Sequence, residues 1–284
     1  MPKQQKWKSF PYPSSAFGYE GTILKKHWTR LHQGDCEPFP DQASLKRLAN
    51  LHPDLKPSIS VADAAAKLQE AWRAYHRGDF WEAAGIGLGL GLAGYNVANK
   101  AANIYATYLE TDKGRSLEIF QEAIGRTEEL QAAAPTVPNA WYYYSQALGR
   151  YAQGISIAKA LAEGLAGKIK RALEQTLKLE PKHADAHIAL GAYHANVVNK
   201  VGAIAGWITF GASKDEAIRH FMQAIELNPN AAIAKIEFAN GLAMLFGKSK
   251  LAEATKLYEE AAAIEPGDAM EKLDVELAKS EIES

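Results

Sequence analysis

Apolar residues recur with a helical period along most of the chain. One run covers residues 60–77, a Gly78-Asp79 turn follows it, and a second run begins at Phe80. Three later runs each end shortly before a proline: Pro181, Pro229 and Pro266. Because apolar spacings of three and four residues place side chains on one face of a helix, the pattern predicts an all-α chain.

Residues 1–57 lack this period. Prolines at positions 11, 13, 38, 40, 53 and 57 interrupt them, and proline blocks the interior of a helix. The same 57 residues contain seven aromatic residues, more than a disordered segment usually carries. We therefore predict an irregular N-terminal segment over residues 1–57, packed on a helical domain over residues 58–284.

The helical region contains an internal repeat. Ala217, Phe221, Ala224 and Pro229 fill the second-helix positions of the tetratricopeptide (TPR) pattern. The next unit fills them with Ala254, Tyr258, Ala261 and Pro266. Small residues let two antiparallel helices approach closely, and the ring fills the space beside them. This predicts an irregular TPR-like solenoid of about five helical hairpins.

The spacing of the repeat is irregular. Pro181 and Pro229 lie 48 residues apart and Pro229 and Pro266 lie 37 apart, whereas a plain unit takes 34. The excess falls between the two helices of a unit and amounts to roughly three to four helical turns. The inserted segments, near residues 154–158 and 201–211, are apolar. They predict either extended first helices or a short extra helix in each of two units.

Several short motifs after residue 140 carry a resemblance to known proteins. They are Trp141-Tyr-Tyr-Tyr144, Lys168-Ile-Lys170, Leu179-Glu-Pro181, Ala186-His187, Leu190-Gly191 and Gly211-Ala-Ser213. With the long insertion, they resemble the TPR-like domain of the RMD (regulator of microtubule dynamics) family. The irregular layout is also similar to the TPR component of tripartite (TRAP) transport systems. Animal RMD members carry membrane segments and the transporter component is a lipoprotein. This sequence shows neither feature, so we expect no membrane or periplasmic role.

Composition narrows the class of protein. The 284 residues have a formal net charge of −1, so no overall field attracts nucleic acid. Cys36 is the single cysteine, which excludes an intramolecular disulfide. No signal peptide and no membrane span is evident, so we expect a cytoplasmic protein. Basic residues concentrate in residues 1–34 and acidic residues in 251–284. This distribution favours a basic arm and a solvated acidic helix, and the alternative is that the two regions attract each other.

Glycines at positions 89, 91 and 94 match the letters of a dinucleotide-binding loop. That loop requires a strand before it, whereas a helix–turn–helix pattern precedes these glycines. A strand over residues 85–92 is a second alternative, without an evident partner strand. We favour a helix in which Gly87, Gly91 and Gly94 share one side and pack closely on a neighbouring helix.

Candidate catalytic and metal-binding groups are few. His183 and His187 lie four residues apart, and two histidines so spaced can share a metal. However, His187 and His194 occupy packing positions of the repeat, so we expect interhelix histidines and no metal. Cys36 has no basic run beside it, and we find no nucleophile elbow. We expect no cofactor and no enzymatic activity.

A repeated pentad, Asn-Val-x-Asn-Lys, supplies the first candidate binding residues. It occurs as Asn96, Asn99 and Lys100 and again as Asn196, Asn199 and Lys200. Asparagine is a mediocre helix former, so these residues either form a solvated face or line an internal groove.

Further candidates come from the repeat pattern and from the second insertion. Tyr142, Gln146 and Arg150 occupy groove-facing positions of one unit. Trp207 and Phe210 either cap the core of lengthened helices or line that groove.

Repeat proteins of this type present a concave surface for binding. We expect a non-enzymatic scaffold whose groove binds another protein or a peptide segment. The alternative is a carrier that holds an apolar small molecule or lipid in an internal cavity. Because the basic and Asn positions of the TPR clamp for C-terminal carboxylates are not reproduced, we disfavour a receptor for chaperone tails.

Overall fold

The computed structural model describes residues 6–283, so residues 1–5 of the predicted N-terminal segment lie outside the description. The described residues form α-helices joined by turns and short 3-10 segments, without any strand. The prediction of an all-α chain is confirmed. The helices are α1 (Ile23–Leu31), α2 (Gln42–Leu51), α3 (Val61–His76), α4 (Phe80–Gly89), α5 (Tyr95–Tyr108), α6 (Lys113–Ala133), α7 (Pro138–Gly154), α8 (Ile157–Ala162), α9 (Leu165–Leu179), α10 (Ala184–Val201), α11 (Ala203–Phe210), α12 (Lys214–Leu227), α13 (Ala232–Phe246), α14 (Leu251–Ala262) and α15 (Ala269–Glu283).

The helices begin where the sequence supplies capping groups. The Ser60 side chain accepts a hydrogen bond from the Asp63 backbone N–H at the start of α3. Ser213 does the same for Glu216 at the start of α12. These caps satisfy donors that the first helical turn leaves without partners.

The chain forms two compact units. The first contains residues 6–29, 37–163 and 268–270, and the second contains residues 30–36, 164–267 and 271–283. In the first unit α3 packs on α4, α5 on α6 and α6 on α7. In the second unit α10 packs on α12, α12 on α13 and α13 on α14. Consecutive helices thus pack as hairpins in each unit, while the boundary at residue 57 stays a prediction.

The repeat pattern explains the packing of the second unit. Ala217, Phe221 and Ala224 of α12 are fully buried. A Cβ atom on Gly191 of α10 or Gly241 of α13 would lie only 2.6 or 2.5 Å from the Phe221 ring. The ring therefore fills a slot between two glycines, and a methyl group on either one would overpack the core.

The N-terminal segment is more regular than predicted, since it contains α1 and α2. Leu24, Trp28 and Leu31 are buried along one side of α1, at a helical spacing that the surrounding prolines concealed. The rings of this segment pack inside the first unit. Trp7 stacks on Tyr105 with the ring centroids 4.4 Å apart.

One ion pair joins the basic and acidic ends of the sequence. Arg30 binds Glu271 through two hydrogen bonds of 2.5 and 2.8 Å within the second unit.

The glycine-rich segment does not form the continuous helix that we favoured. Helix α4 ends at Gly89, a 3-10 turn covers Gly91–Gly94, and α5 begins at Tyr95. Gly91 adopts a φ of +60°, which breaks the helix where only glycine is unstrained. A Cβ atom on Gly87 would lie 2.7 Å from the Gly94 carbonyl, so the turn packs directly against α4.

Both insertions form short extra helices, which decides between the two alternatives. The insertion after α7 contains α8, and the insertion after α10 contains α11. Gly202, with a φ of +84°, separates α11 from α10.

Candidate functional site

Helix α11 is anchored at its carboxyl end. The Phe210 carbonyl accepts hydrogen bonds from Lys170 Nζ and from the Tyr193 hydroxyl, both 3.2 Å long. Burial raises the pKa of Tyr193 to about 12, so this hydroxyl keeps its proton. Gly211 in the left-handed region closes the helix by donating to the Trp207 carbonyl. The orphan carbonyls of this helix end are thus partly satisfied.

One face of α11 is exposed to solvent and apolar. Ile204, Trp207 and Ile208 are 79%, 63% and 75% exposed, and we call these three residues the α11 apolar face. Phe210, in contrast, packs partly buried against a core cluster that includes Tyr193, Phe221 and Phe238. Of the two predicted candidates, Phe210 therefore caps the core and Trp207 does not. The sequence analysis named neither Ile204 nor Ile208 as a candidate, although their spacing of four residues was a usable signal.

The second pentad lies just before this face. Asn196 is half-buried and donates to the Ala192 carbonyl of its own helix at 2.9 Å. Asn199 and Lys200 are exposed in the last turn of α10. The second pentad thus agrees with a solvated face.

The first pentad lies in the interior of the first unit. Asn96 donates to the Glu37 carboxylate at 3.0 Å. Asn99, fully buried, accepts a hydrogen bond of 2.8 Å from Nε of Arg126, whose pKa is lowered by burial. A solvated face is therefore wrong for this copy.

Lys100 is only 3% exposed, and its ammonium lies 5.7 and 5.2 Å from the ring centroids of Trp72 and Tyr75. Such cation–π contacts place the charge on aromatic faces.

The groove-facing candidates of α7 partly join this interior. Tyr142 is buried, and Gln146 accepts a hydrogen bond of 3.0 Å from Asn103 of α5. Arg150 is half-buried and donates to Gln153, one turn further along α7. The sequence analysis missed Asn103, although it follows Asn99 by one helical turn. The first unit thus joins Gln146 to Asn103, one helical turn after the α5 pentad.

The lone cysteine carries no activated thiol. Burial, followed by the charge of Glu180, raises the pKa of Cys36 to about 12. The thiol therefore stays protonated at neutral pH, and nucleophilic chemistry at this residue is disfavoured.

The described residues contain no helix with both the length and the apolar character that crossing a bilayer requires.

Comparison with known proteins identifies the architecture. No curated protein sequence matches the chain significantly. A crystal structure of a thermophilic TPR protein from Thermus thermophilus is similar, with a TM-score of 0.55 and 14% sequence identity. The similarity covers 76% of this chain and 99% of that chain, so the TPR-like solenoid is confirmed. This fold is typical of protein-interaction scaffolds.

A family model extends the comparison to the sequence. The model for Regulator of microtubule dynamics protein 1-3 matches residues 94–283, about two thirds of the chain. The match begins at the start of α5, upstream of the motifs from which the resemblance was inferred, and it runs to the end of α15. The chain therefore belongs to the Regulator of microtubule dynamics protein 1-3 family.

Proposed function

We propose that this chain is a non-enzymatic scaffold that binds an apolar segment of a partner protein on the α11 apolar face. One observation carries the proposal: three large apolar side chains are exposed on a helix that the hairpin does not need. The next hairpin, α13–α14, closes through a short 3-10 turn over Gly247–Lys250 instead. Large exposed apolar groups on an added helix favour an interaction surface.

The chemistry around the face suggests the type of partner. Ile204, Trp207 and Ile208 follow the spacing at which one helix offers anchors to another helix. Exposed Lys200 adds a positive charge one turn before the face. The expected partner is therefore an amphipathic helical segment with apolar residues on one side and a carboxylate beside them. Tryptophan is frequent among residues that dominate binding energy, so Trp207 is the expected anchor.

In this proposal the buried candidates do not contact the partner. Asn99, Lys100 and Tyr142 are buried in the first unit and offer little surface to a partner. Among the predicted residues, Asn199, Lys200 and Trp207 are the exposed ones. Binding through a wider concave groove would also require side chains of the first unit, and it would show as a loss of binding in Arg150→Ala.

A comparative capture experiment tests the proposal. The family description refers to microtubule dynamics, so polymerised tubulin with its associated proteins is the first probe. Wild type, Trp207→Ala and the matched control Met222→Ala are used as bait, because Met222 is 60% exposed on α12. Each captured protein is then purified and titrated directly against the three baits.

The expected result is a purified partner that Trp207→Ala binds at least about tenfold more weakly. Met222→Ala should bind it as the wild type does. Equal binding to folded Trp207→Ala would overturn the proposed site. A stoichiometric small molecule extracted from the purified protein, without any protein partner, would instead support the carrier alternative.

We further propose that this binding takes place in the cytoplasm. A single cysteine, which can form no intramolecular disulfide, is usual for a reducing compartment. Recovery of the protein in a secreted or periplasmic fraction would contradict this location.

A further inference from the structure

Three histidine rings of the second unit form one column between α10 and α12. Nδ1 of His187 lies 2.8 Å from Nδ1 of His220. The rings of His194 and His220 are stacked, with centroids 5.8 Å apart and an interplanar angle of 12°. All three side chains are buried, yet His220 was not among the histidines that the sequence brought to attention.

A carboxylate completes this cluster. Glu216 lies one helical turn before His220 on α12, with Oε2 3.8 Å from Nε2 of His220. One ligand atom from each of His194, Glu216 and His220 lies within 4.8 Å of the other two. Ligand atoms around a tetrahedral zinc ion lie about 3.4 Å apart, so side-chain movements of about 1 Å would bring them to that geometry.

The types of donor suit metal binding. His194 of α10 and His220 of α12 each offer an imidazole nitrogen, and Glu216 of α12 offers a carboxylate oxygen. Two imidazoles and one carboxylate form a donor set that zinc uses in sites with an open position.

The hydrogen bonds also fix the tautomer of His220. Nη2 of Arg219 can only donate and lies 2.9 Å from Nε2 of His220, so this nitrogen accepts and the ring proton is on Nδ1. Nδ1 of His220 therefore donates to Nδ1 of His187, and Nε2 keeps the lone pair that a metal ligand needs. An oriented imidazole with its second nitrogen hydrogen-bonded is the usual arrangement of a metal-binding histidine.

An arginine occupies the position where the metal would bind. Nη2 of Arg219 lies 2.9 Å from Nε2 of His220 and also pairs with the Glu216 carboxylate. The Arg219 side chain is 56% exposed, so it can move into solvent without opening the core. His194 would also exchange its tautomer and give up a 3.3 Å hydrogen bond from the Ser213 N–H.

We propose that His194, Glu216 and His220 form a binding site for a divalent transition metal of the zinc type, which the Arg219 guanidinium occupies while the metal is absent. Arg219 competes with the metal for both Glu216 and His220. Removing the guanidinium should therefore strengthen metal binding, whereas removing a ligand should weaken it. A purely structural histidine column would show neither effect.

The test is a titration of the full chain, freed of metal by a chelator, with Zn²⁺ by calorimetry and with Co²⁺ by visible absorption. We expect one ion per chain and a tetrahedral Co²⁺ spectrum. Glu216→Gln should weaken binding at least tenfold, and Arg219→Gln should tighten it severalfold. Glu226→Gln, a control for an exposed carboxylate on the same helix, should leave the affinity unchanged.

Several results would overturn the proposal. They are the absence of saturable binding to the wild type and an affinity that Glu216→Gln leaves unchanged. An unchanged affinity in Arg219→Gln would contradict the proposed competition between Arg219 and the metal. Because Arg219 is exposed and Glu216 is only partly buried, these variants should fold, and circular dichroism checks that they do.

Discussion

The two Asn-Val-x-Asn-Lys pentads share four of five letters but lie in opposite environments. On α5, Asn99 and Lys100 are buried and bind Arg126 and two aromatic faces. On α10, Asn199 and Lys200 are exposed. The difference follows from what packs around each helix. Helix α5 contacts α4, α6 and α7, whereas the second pentad lies in the last turns of α10, which ends at Val201 just before Gly202. The same local sequence therefore supports the interior in one unit and the surface in the other.

Charge reversal of the two lysines should give the largest contrast. Lys100→Glu places a carboxylate in the buried site against two aromatic faces, and we expect the free energy of unfolding to fall by about 3 kcal/mol or more. Lys200→Glu should change it by less than about 0.5 kcal/mol. Urea unfolding of the two variants measures both values. Equal losses would mean that the α5 lysine is not in the core.

Truncation of the matched asparagines should give a smaller contrast. Asn99→Ala leaves the half-buried Arg126 without the oxygen that accepts its Nε–H, so we expect a loss of about 1–3 kcal/mol. Asn199→Ala should lie within about 0.5 kcal/mol of the wild type. A double-mutant cycle with Arg126→Met isolates the pair. Additive losses in that cycle would contradict the assigned hydrogen bond.

Alanine substitution should also distinguish the two aromatic residues of α11. Phe210 is half-buried against the core, so Phe210→Ala should cost about 2 kcal/mol, less than a fully buried ring. Trp207→Ala should leave the thermal midpoint within error, because the ring is 63% exposed. Differential scanning calorimetry decides this. A large decrease of the thermal midpoint in Trp207→Ala would mean that the α11 apolar face supports the fold and is not a binding surface.

The smallest effect concerns pH. Burial lowers the pKa of His194 and His220 in the folded protein to about 4 and about 3, below the ordinary value of about 6.5. The unfolded chain therefore binds protons first, and stability is complete above pH 6.5 and falls as pH decreases toward 4. We expect a loss of about 0.5 kcal/mol for each histidine between pH 7 and 6.

Hydrogen exchange at these two pH values should show weaker protection in α10 while α5 changes less. The double variant His194→Gln with His220→Gln should flatten the pH dependence. An unchanged slope in that variant would assign the effect to other groups.

Much of the fold could be predicted because its signals are local. The positions of Ala217, Phe221 and Ala224 in one helix predicted a close hairpin, and the structure buries all three. The errors arose where local signals conflict. Prolines around residues 23–31 concealed α1. The closely spaced glycines of residues 85–94 suggested one helix, whereas Gly91 in the left-handed region breaks it.

The candidate site was harder to predict, since exposure is not a property of a short segment. Trp207 and Phe210 lie three residues apart in an apolar insertion, and nothing local distinguishes the exposed ring from the packed one. The three histidines between α10 and α12 could not be predicted together for the same reason. His220 meets His187 and His194 only through the packing of α12 on α10.

The sequence by itself determined most of the helical runs from residue 60 onward, the hairpin repeat and the presence of two insertions. Each of these depends on residues within a few turns of one another, where period, capping groups and small side chains act directly. Only the tertiary structure decided which copy of the pentad is buried, which aromatic residue of α11 meets solvent, and which histidines meet. These outcomes depend on helices that are distant in sequence, because burial and electrostatic environment are set by what packs against a side chain and not by its neighbours along the chain.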